Sequence, residues 1–243
     1  RMFWKDSLDM QELPLSSKIG ITAFLLLAGV GYLLGFANIL LTYSPTDQEP
    51  GLSITDIRIA FYGARDKTAL EASIDGSMKQ YFTSDDGYEE VKAWLDAGFS
   101  EEGFLELEPI MAVSCNTCHS AGAQVAGVVT ETYEDIEGLL VQDTGKSVGR
   151  LVSLTHTHLM STMVLLFGLV MIFSRTQFSE LIKRIVISVA FFALVADLGA
   201  WWLAKLAGPM AVVVILGGAA LGTSFAAIVV LSLYDLWLRK TVK

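Results

Sequence analysis

The sequence predicts an all-α membrane protein: a four-transmembrane-helix bundle with a small, mostly helical extracytoplasmic insert between the first and second spans. Hydrophobic residues make up 53% of the 243 residues, charged residues only 18%, and the mean hydropathy is +0.51. These values are too apolar for an ordinary soluble domain. The apolar residues fall into four long runs, and the net charge of −9 comes from one segment between the first two runs. An acidic balance argues against a polybasic nucleic-acid-binding protein.

Each apolar run is long enough to cross a membrane, because a helix needs about 20 apolar residues to span the hydrocarbon core. The first run is too long for the apolar part of a signal peptide, so we expect it to be retained. Asp197 interrupts the third run, Lys205 lies at its end, and Pro209 marks the turn to the fourth. The predicted organisation is an N-terminal segment at 1–18, spans at 19–43, 151–174, 185–206 and 210–236, an insert at 44–150, a loop at 175–184 and a tail at 237–243.

The charges predict which side of the membrane each segment occupies. Residues 44–150 contain 20 Asp and Glu but 7 Lys and Arg, a net charge of −13, so the rest of the chain carries +4 of the total of −9. Short cytoplasmic segments are enriched in Lys and Arg. We therefore place the insert in the periplasm or an equivalent space and the termini in the cytoplasm of a bacterial inner membrane. The chain starts at Arg1, so we expect further residues upstream. Three basic clusters carry this orientation: Arg1, Lys5 and Lys18, then Arg175, Lys183 and Arg184, then Arg239, Lys240 and Lys243.

The insert has the sequence pattern of several short helices. A helix typically starts after a Ser or Thr whose side chain caps the first turn, often with an acidic residue three positions later. Pro109 is predicted to end one helix just before the two cysteines. The predicted capping residues are Ser53, Thr68, Ser84, Ser100 and Thr130, and the predicted core of the insert contains Trp94, Phe99, Phe104, Leu105 and Leu107.

Both cysteines of the chain lie in one short motif, Cys115-Asn116-Thr117-Cys118-His119. This is the C-x-x-C-H pattern of covalent haem attachment. Two thiols three residues apart on one helical turn can form thioethers to the haem vinyl groups, while the adjacent imidazole reaches the iron. A redox or structural disulfide is the competing interpretation; a zinc site lacks ligands, since a closed site needs four N or S donors.

At these five residues the sequence resembles the c-type cytochromes, in particular a membrane-anchored mono-haem member. The resemblance implies one covalent haem c, with Cys115 and Cys118 as the attachment sites, His119 as the proximal iron ligand, and electron transfer as the function. The rest of the chain departs from a small cytochrome c, because the motif lies late in the insert and no Met occurs between Cys118 and Met160.

The sixth iron ligand is predicted among a few residues. His156 and His158, the remaining two histidines, lie at the start of the second span, at the depth of a haem held at the outer membrane surface. We favour His156, which is nearer the interface, as the second metal ligand beside His119. Loss of a low-spin spectrum in His156→Ala but not in His158→Ala would support this choice. Met160 and Met111 are the alternative ligands, and an open site or water is a further one.

Asp197 is a second candidate position, either for structural pairing within the bundle or for a proton or quinone role, because ionisable residues inside membranes often mark proton or substrate pathways. It lies at a depth close to that of the histidines and could pair with one of them, accept a quinol proton, or hydrogen-bond within the bundle. The sequence argues against a membrane-embedded b-type haem, which usually needs imidazoles from two facing helices, because the other spans contain no histidine. The chain alone cannot be a di-haem cytochrome b.

The leading functional hypothesis is a membrane-bound electron-transfer protein, a subunit of a respiratory or photosynthetic electron-transport complex that relays electrons at the periplasmic surface. Its expected partners are membrane-embedded oxidoreductase subunits, the lipid bilayer and a basic soluble electron carrier steered by the acidic insert, with no nucleic acid. Two alternatives stay open: a quinol-oxidising subunit with a site near His156, His158 and Asp197, and a haem-based gas sensor or accessory subunit. No residue pattern for a stand-alone catalyst is found, so no catalytic residue is predicted.

Overall fold

A computed structural model describes residues 10–239 except 45, 48 and 124. Arg1, Lys5, Lys240 and Lys243, on which part of the predicted orientation depends, lie outside the described residues. Within them the chain is helical, with no strand beyond an isolated bridge between Thr68 and Gln142. The α-helices are α1 (Leu15–Tyr43), α2 (Ile54–Tyr62), α3 (Ala69–Asp75), α4 (Asp85–Asp96), α5 (Glu101–Ser114), α6 (Asn116–His119), α7 (Tyr133–Glu137), α8 (Val148–Phe173), α9 (Glu180–Leu206) and α10 (Ala211–Trp237).

The chain divides into two compact units. One, here called the transmembrane unit, comprises the chain up to Ile39, Val148–Ala204 and the chain from Pro209; the other, the insert unit, comprises Leu40–Ser147 and Lys205–Gly208. Three helices are long and apolar enough to cross a membrane: Leu15–Tyr43, Val148–Phe173 and Gly208–Trp237. They contain or overlap the predicted spans at 19–43, 151–174 and 210–236. The helix at the predicted third span, α9, is not one of the three, so a fourth span stays a prediction.

The transmembrane unit has one apolar core to which α1, α8, α9 and α10 all contribute. Most large apolar side chains outside this core are exposed, including Phe167 and Leu27. Exposed apolar surface of this kind is stable in lipid, where water does not contact it. The buried core residues are Leu25, Ala28, Leu166, Leu169, Phe173, Ala190, Ala193, Leu194, Leu198, Leu221, Phe225, Ile228 and Val229.

The insert helices begin where the capping pattern predicts, with one exception. Side-chain oxygens of Ser53, Thr68, Ser84 and Ser100 accept hydrogen bonds from the third backbone N–H of α2, α3, α4 and α5. The prediction for Thr130 is wrong, because Thr132 caps α7. The Thr132 hydroxyl accepts the N–H of Asp135, and the Asp135 carboxylate accepts the N–H of Thr132. Thr130 instead uses its N–H and hydroxyl to bind the segment of the cysteines.

Two further predictions for the insert are wrong. The helix α5 does not end at Pro109 but continues to Ser114. Because proline has no N–H, Pro109 removes one helical hydrogen bond, the one that the carbonyl of Leu105 would accept. Leu105 is exposed, so water can donate to this carbonyl instead. Leu105, at 60% exposure, is therefore also not a core residue.

The core of the insert lies between α3, α4, α5 and α7. Trp94, Phe104 and Leu107 are buried there as predicted, and Phe99 is half-buried against them. Phe104 has its ring centroid 5.9 Å from that of Trp94 and 6.0 Å from that of Tyr133. The cysteine motif follows directly from this core, because α5 leads into it.

Candidate functional site

The C-x-x-C-H motif forms a single helical turn at the end of α5. Cys115 closes α5 by donating its N–H to the Met111 carbonyl at 2.9 Å, and the same residue begins α6. The carbonyl of Cys115 accepts the N–H groups of Cys118 at 3.1 Å and of His119 at 2.9 Å. Both cysteines and the histidine are therefore held on one turn, the local geometry that the spacing predicts.

The two thiols are free and differ in their surroundings. Cys115 is half-buried against the insert core, and this burial raises the pKa of its thiol to about 11. Cys118 is exposed. A redox-active C-x-x-C motif depends on a thiol whose pKa is lowered, because the thiolate is the nucleophile. The raised pKa of Cys115 and the helical surroundings therefore argue against a thiol-exchange site.

A second segment holds the motif in place. The Thr130 N–H donates to the His119 carbonyl at 2.8 Å, and its hydroxyl donates to the Asn116 side-chain oxygen at 2.8 Å. The carboxylate of Glu131 accepts the N–H of Ala121 at 3.1 Å. These bonds fix both ends of α6. Sequence reasoning assigned Thr130 and Glu131 to a helix start and missed these contacts, which join residues ten or more positions apart.

The imidazole of His119 has one enclosed nitrogen. Its Nδ1 is buried and has no hydrogen-bond partner among the described residues, while the residue as a whole is half-buried. Nε2 is therefore the nitrogen left to bind a metal. Val113 and Val125, in the segments flanking the motif, expose more than half of their surface, which would provide apolar contacts for a porphyrin. The residues present fit a haem held by two thioethers and one imidazole.

A metal centre built from protein ligands alone is not found in the described ranges: no group of three or more His, Cys, Asp or Glu residues there could hold a metal ion. A haem requires fewer metal ligands from the insert, since His119 is the only iron ligand that the motif has to supply. Met111, one of the predicted distal ligands, is buried in the insert core at 3% exposure. Its thioether would have to leave that core to bind iron.

The two remaining histidines lie on α8, in the transmembrane unit, and both are exposed. His158 Nδ1 is 2.9 Å from the Leu154 carbonyl, so it carries the proton and donates it. The ring of His158 meets that of Trp201 edge to face, with centroids 5.1 Å apart. His156 forms no such contact with α9. Met160 is also exposed and lines an apolar groove between α1 and α8 together with Phe24.

Asp197 lies in the same part of the transmembrane unit as His158. Its hydrogen-bond partner is the side chain of Trp201, one turn further along α9. Its backbone packs against α10 so closely that a Cβ at Gly217 would lie 3.0 Å from the Asp197 Cα. Trp201 therefore stands between Asp197 and His158, where the sequence suggested a direct pair.

Tyr32 is a polar member of this region that sequence reasoning missed. Its hydroxyl donates to the Gly218 carbonyl at 3.4 Å, and its ring stacks on Phe225 with centroids 5.2 Å apart. Gly222 lacks the side chain that would occupy the place of this hydroxyl. A tyrosine in the middle of an apolar span is the signal that could have identified it.

The comparisons with known proteins bear on the membrane part. Residues 137–243 match the family of a transmembrane helical domain, Aq_1264_TM. Together with the three apolar helices, this match shows that the chain is a multi-pass membrane protein. The matched residues include α8, α9 and α10 but not the C-x-x-C-H motif. No curated protein and no solved structure shows significant similarity to the chain.

Proposed function

We propose that the chain is a membrane-anchored mono-haem c-type cytochrome that relays electrons at the periplasmic surface of a bacterial inner membrane, as a subunit of a respiratory or photosynthetic complex. One observation carries the proposal: Cys115, Cys118 and His119 lie on one helical turn, with both thiols free and no thiolate-stabilising surroundings at Cys115. The membrane-spanning helices supply the anchor.

The residues of the motif have separate tasks in this proposal. Cys115, at the edge of the insert core, and Cys118, at the surface, would hold the haem covalently, and His119 would bind its iron through Nε2. When bound, a haem supplies reversible one-electron transfer through its iron. Thr130 and Glu131 keep the turn in place through their bonds to the two ends of α6. Val113 and Val125 give apolar cover.

The proposal includes α9 as a fourth span. This helix has 27 residues, carries no charge at 185–196, and places Ala190, Ala193, Leu194 and Leu198 in the same core as α1, α8 and α10. An even number of spans keeps both termini on the side of the basic loops and puts the insert on the opposite side. The charge of −13 on residues 44–150 then faces a soluble, basic electron carrier and steers its approach.

The proposal is tested by the spectrum of the purified full-length chain, produced in a host that matures c-type cytochromes. A pyridine haemochrome spectrum with one covalently bound haem per chain is the expected result. Cys115→Ala and Cys118→Ala should each remove one thioether and shift the band. Thr117→Ala, an exposed change within the same turn, is the control that should leave it unchanged. A chain without covalent haem under these conditions contradicts the proposal.

The sixth iron ligand stays as predicted from the sequence, with His156 ahead of His158, Met160 and Met111. Oxidised and reduced spectra of His156→Ala and His158→Ala test this choice through the spin state of the iron. Unchanged spectra in both variants contradict a histidine ligand from α8.

Quinol oxidation is a second candidate function, favoured by the grouping of His158, Trp201 and Asp197. Because His158 donates its Nδ1 proton to the Leu154 carbonyl, its Nε2 is free to accept a proton. The Asp197 carboxylate is a second acceptor. Oxidation of one quinol releases two protons and two electrons, so it would reduce the single haems of two chains by one electron each. Haem reduction by added quinol should then fall at least tenfold in Asp197→Asn and His158→Ala but not in His156→Ala. Without quinol-dependent reduction in the unmodified chain, only the relay function remains.

A further inference from the structure

One helix of the insert unit, α5, carries apolar side chains on its exposed side. Leu105 and Val113 expose 60% and 55% of their surface. Pro109 and Ala112, which lie between them in sequence, are also exposed. The exposed positions of the neighbouring helix α4 are instead five acidic residues and one alanine, as is usual for a helix in contact with water. Adjoining apolar residues on such a surface mark an interaction site. We call Leu105, Pro109, Ala112 and Val113 the α5 patch.

The packing of the opposite side of α5 fixes the direction of this patch. Phe104, Leu107 and Met111 are buried in the insert core. A Cβ on Gly103 would lie 2.7 Å from the Trp94 ring, so α5 lies directly against α4 at this point. An α-helix turns by about 100° per residue, so the four residues of the α5 patch fall within about 100° of one another, away from the core. Rotation of α5 to bury the patch would expose Phe104 and Met111.

Glutamates surround the α5 patch. On the same helical projection Glu101 and Glu108 lie on one side of the patch. Glu106 lies on the other side, and Glu102 lies at the N-terminal end. All four are exposed, and none forms a salt bridge with a residue that the structure describes. Since α5 contains no Lys or Arg, the helix presents an apolar centre with a negatively charged rim.

Pro109 adds a hydrogen-bond acceptor at the centre of the α5 patch. Because proline has no N–H, the carbonyl of Leu105 lacks its α-helical donor. Water donates to this carbonyl while the patch is free, and a Lys or Arg side chain of a partner can donate to it when the patch is covered. The centre of the patch and its rim therefore accept the same kind of group.

The charge of the rim distinguishes between three occupants of the α5 patch. A membrane surface that contains anionic lipids has a negative potential, so it repels the four glutamates. A symmetric contact with a second copy of the chain would place the patch against itself, with like charges facing one another. A protein that carries basic side chains around an apolar contact has the complementary charge.

The α5 patch leads toward the C-x-x-C-H motif. The helix α5 ends at Ser114, and Cys115 begins the turn that carries the motif. Val113 is one turn before Thr117, and both Thr117 and Cys118 are exposed. The helix rises only about 12 Å from Leu105 to Val113. A protein that covers the patch therefore lies beside the residues that would hold the haem.

We propose that the α5 patch and its glutamates are the docking surface for a soluble, basic electron-transfer protein. The identification of the partner as an electron carrier rests on the proposed function, whereas the binding of a basic protein does not. Apolar contact at the centre supplies affinity, and the glutamates speed the approach. One electron passes in each encounter from the reduced to the oxidised protein, with no bond made or broken. Transient contacts of this class bury less than about 1,200 Å² in total, which allows the carrier to leave.

The test is equilibrium binding of a soluble cytochrome c to the full-length protein in a neutral detergent. The probe is a lysine-rich soluble cytochrome c, and an acidic soluble cytochrome c is the second arm. We expect the lysine-rich probe to bind and the acidic probe not to bind. Its affinity should fall about tenfold between about 0.01 and 0.1 M salt, because the screening length shortens from about 30 to about 10 Å.

Single substitutions at exposed positions locate the binding surface without disturbing the core. Leu105→Ser should weaken binding of the lysine-rich probe about fivefold, and Glu106→Gln about threefold. Val141→Ser is the control for the first, because Val141 is 59% exposed in the same unit but outside α5. Asp66→Asn is the control for the second, because it removes one exposed carboxylate outside α5. Both controls should bind the probe as the unmodified chain does.

Equal binding by Leu105→Ser and Val141→Ser overturns the proposal, as does an affinity that is independent of salt or equal for the two probes. A changed oligomeric state in Leu105→Ser with unchanged probe binding assigns the patch to a second copy and also overturns it. A pyridine haemochrome spectrum of the same sample separates this proposal from the proposed function. Covalent haem without probe binding overturns the docking surface alone. Probe binding that depends on Leu105 in a chain without covalent haem supports the docking surface and contradicts the proposed function.

Discussion

The two units of the chain reach stability by opposite uses of apolar side chains. In the insert unit Phe104 is buried at 2% exposure, and polar caps and ion pairs surround the core. In the transmembrane unit Phe167 is exposed at 60%, as are many leucines and valines of the same helices. The hydrophobic effect stabilises the first arrangement in water but gives no reason to bury Phe167 in lipid. Whether burial of an apolar side chain stabilises the protein therefore depends on whether water or lipid surrounds its unit.

The sharpest way to break this comparison is to truncate a phenylalanine in each unit. Phe104→Ala should destabilise the insert by about 3–5 kcal/mol, because it removes the ring that contacts both Trp94 and Tyr133. Phe167→Ala should change the stability of the full-length protein in detergent by less than about 0.5 kcal/mol. Thermal unfolding followed by near-ultraviolet circular dichroism measures both. A loss at Phe167 comparable to that at Phe104 would show that Phe167 is buried by another protein surface.

The insert also differs from the transmembrane unit in its polar contacts, and the buried carboxylate of Asp75 tests this difference. Burial raises the pKa of Asp75, but hydrogen bonds from Lys67, Tyr88 and Lys92 outweigh burial and leave the pKa below its ordinary value. A lowered pKa stabilises the fold above the pKa of the unfolded chain, about 4. That stabilisation is lost as the pH falls through the folded value.

Asp75→Asn should therefore cost about 2–3 kcal/mol near pH 7, because Lys67 and Lys92 lose a charged partner. It should also reduce the loss of stability below about pH 4. Denaturation of the full-length protein from pH 7 to pH 3 measures both effects. Asp96→Asn, at an exposed end of α4, is the control. An equal pH dependence of the two variants would contradict the role of Asp75.

Local signals in the sequence predict much of the insert, and the failures have a common cause. Ser53 and Ser84 are identified because a helix cap is decided within three residues. Thr130 fails because its partners, Asn116 and His119, come from another segment. Pro109 fails because a proline on an exposed side of a helix costs less when water can bind the freed carbonyl. A helix cap is therefore predictable from neighbouring residues, whereas the roles of Thr130 and Pro109 depend on tertiary contacts and on solvent exposure.

The same division holds for the candidate sites. The C-x-x-C-H motif is visible because its chemistry fits in five consecutive residues. The contacts of Lys146 with Ala60 and of Lys205 with Thr144 cannot be predicted from the sequence, since they form only through folding. The grouping of His158 with Asp197 was expected from their depth alone, but the tryptophan between them follows from the packing of α8 against α9.

The smallest expected effect concerns helix packing inside the transmembrane unit. In lipid the hydrophobic effect does not drive helices together, and small residues instead allow their backbones to approach closely. A side chain at Gly217 would lie 3.0 Å from the backbone of Asp197, whereas one at Gly31 would meet nothing within 4 Å. Gly217→Val should therefore lower the stability in detergent by about 1–2 kcal/mol, with Gly31→Val as the matched control. Loss of helix during a thermal ramp in detergent, followed by far-ultraviolet circular dichroism, measures the difference. Equal melting temperatures for the two variants would mean that α9 can shift away from α10 without loss, and Asp197 would then not be held in place by this contact.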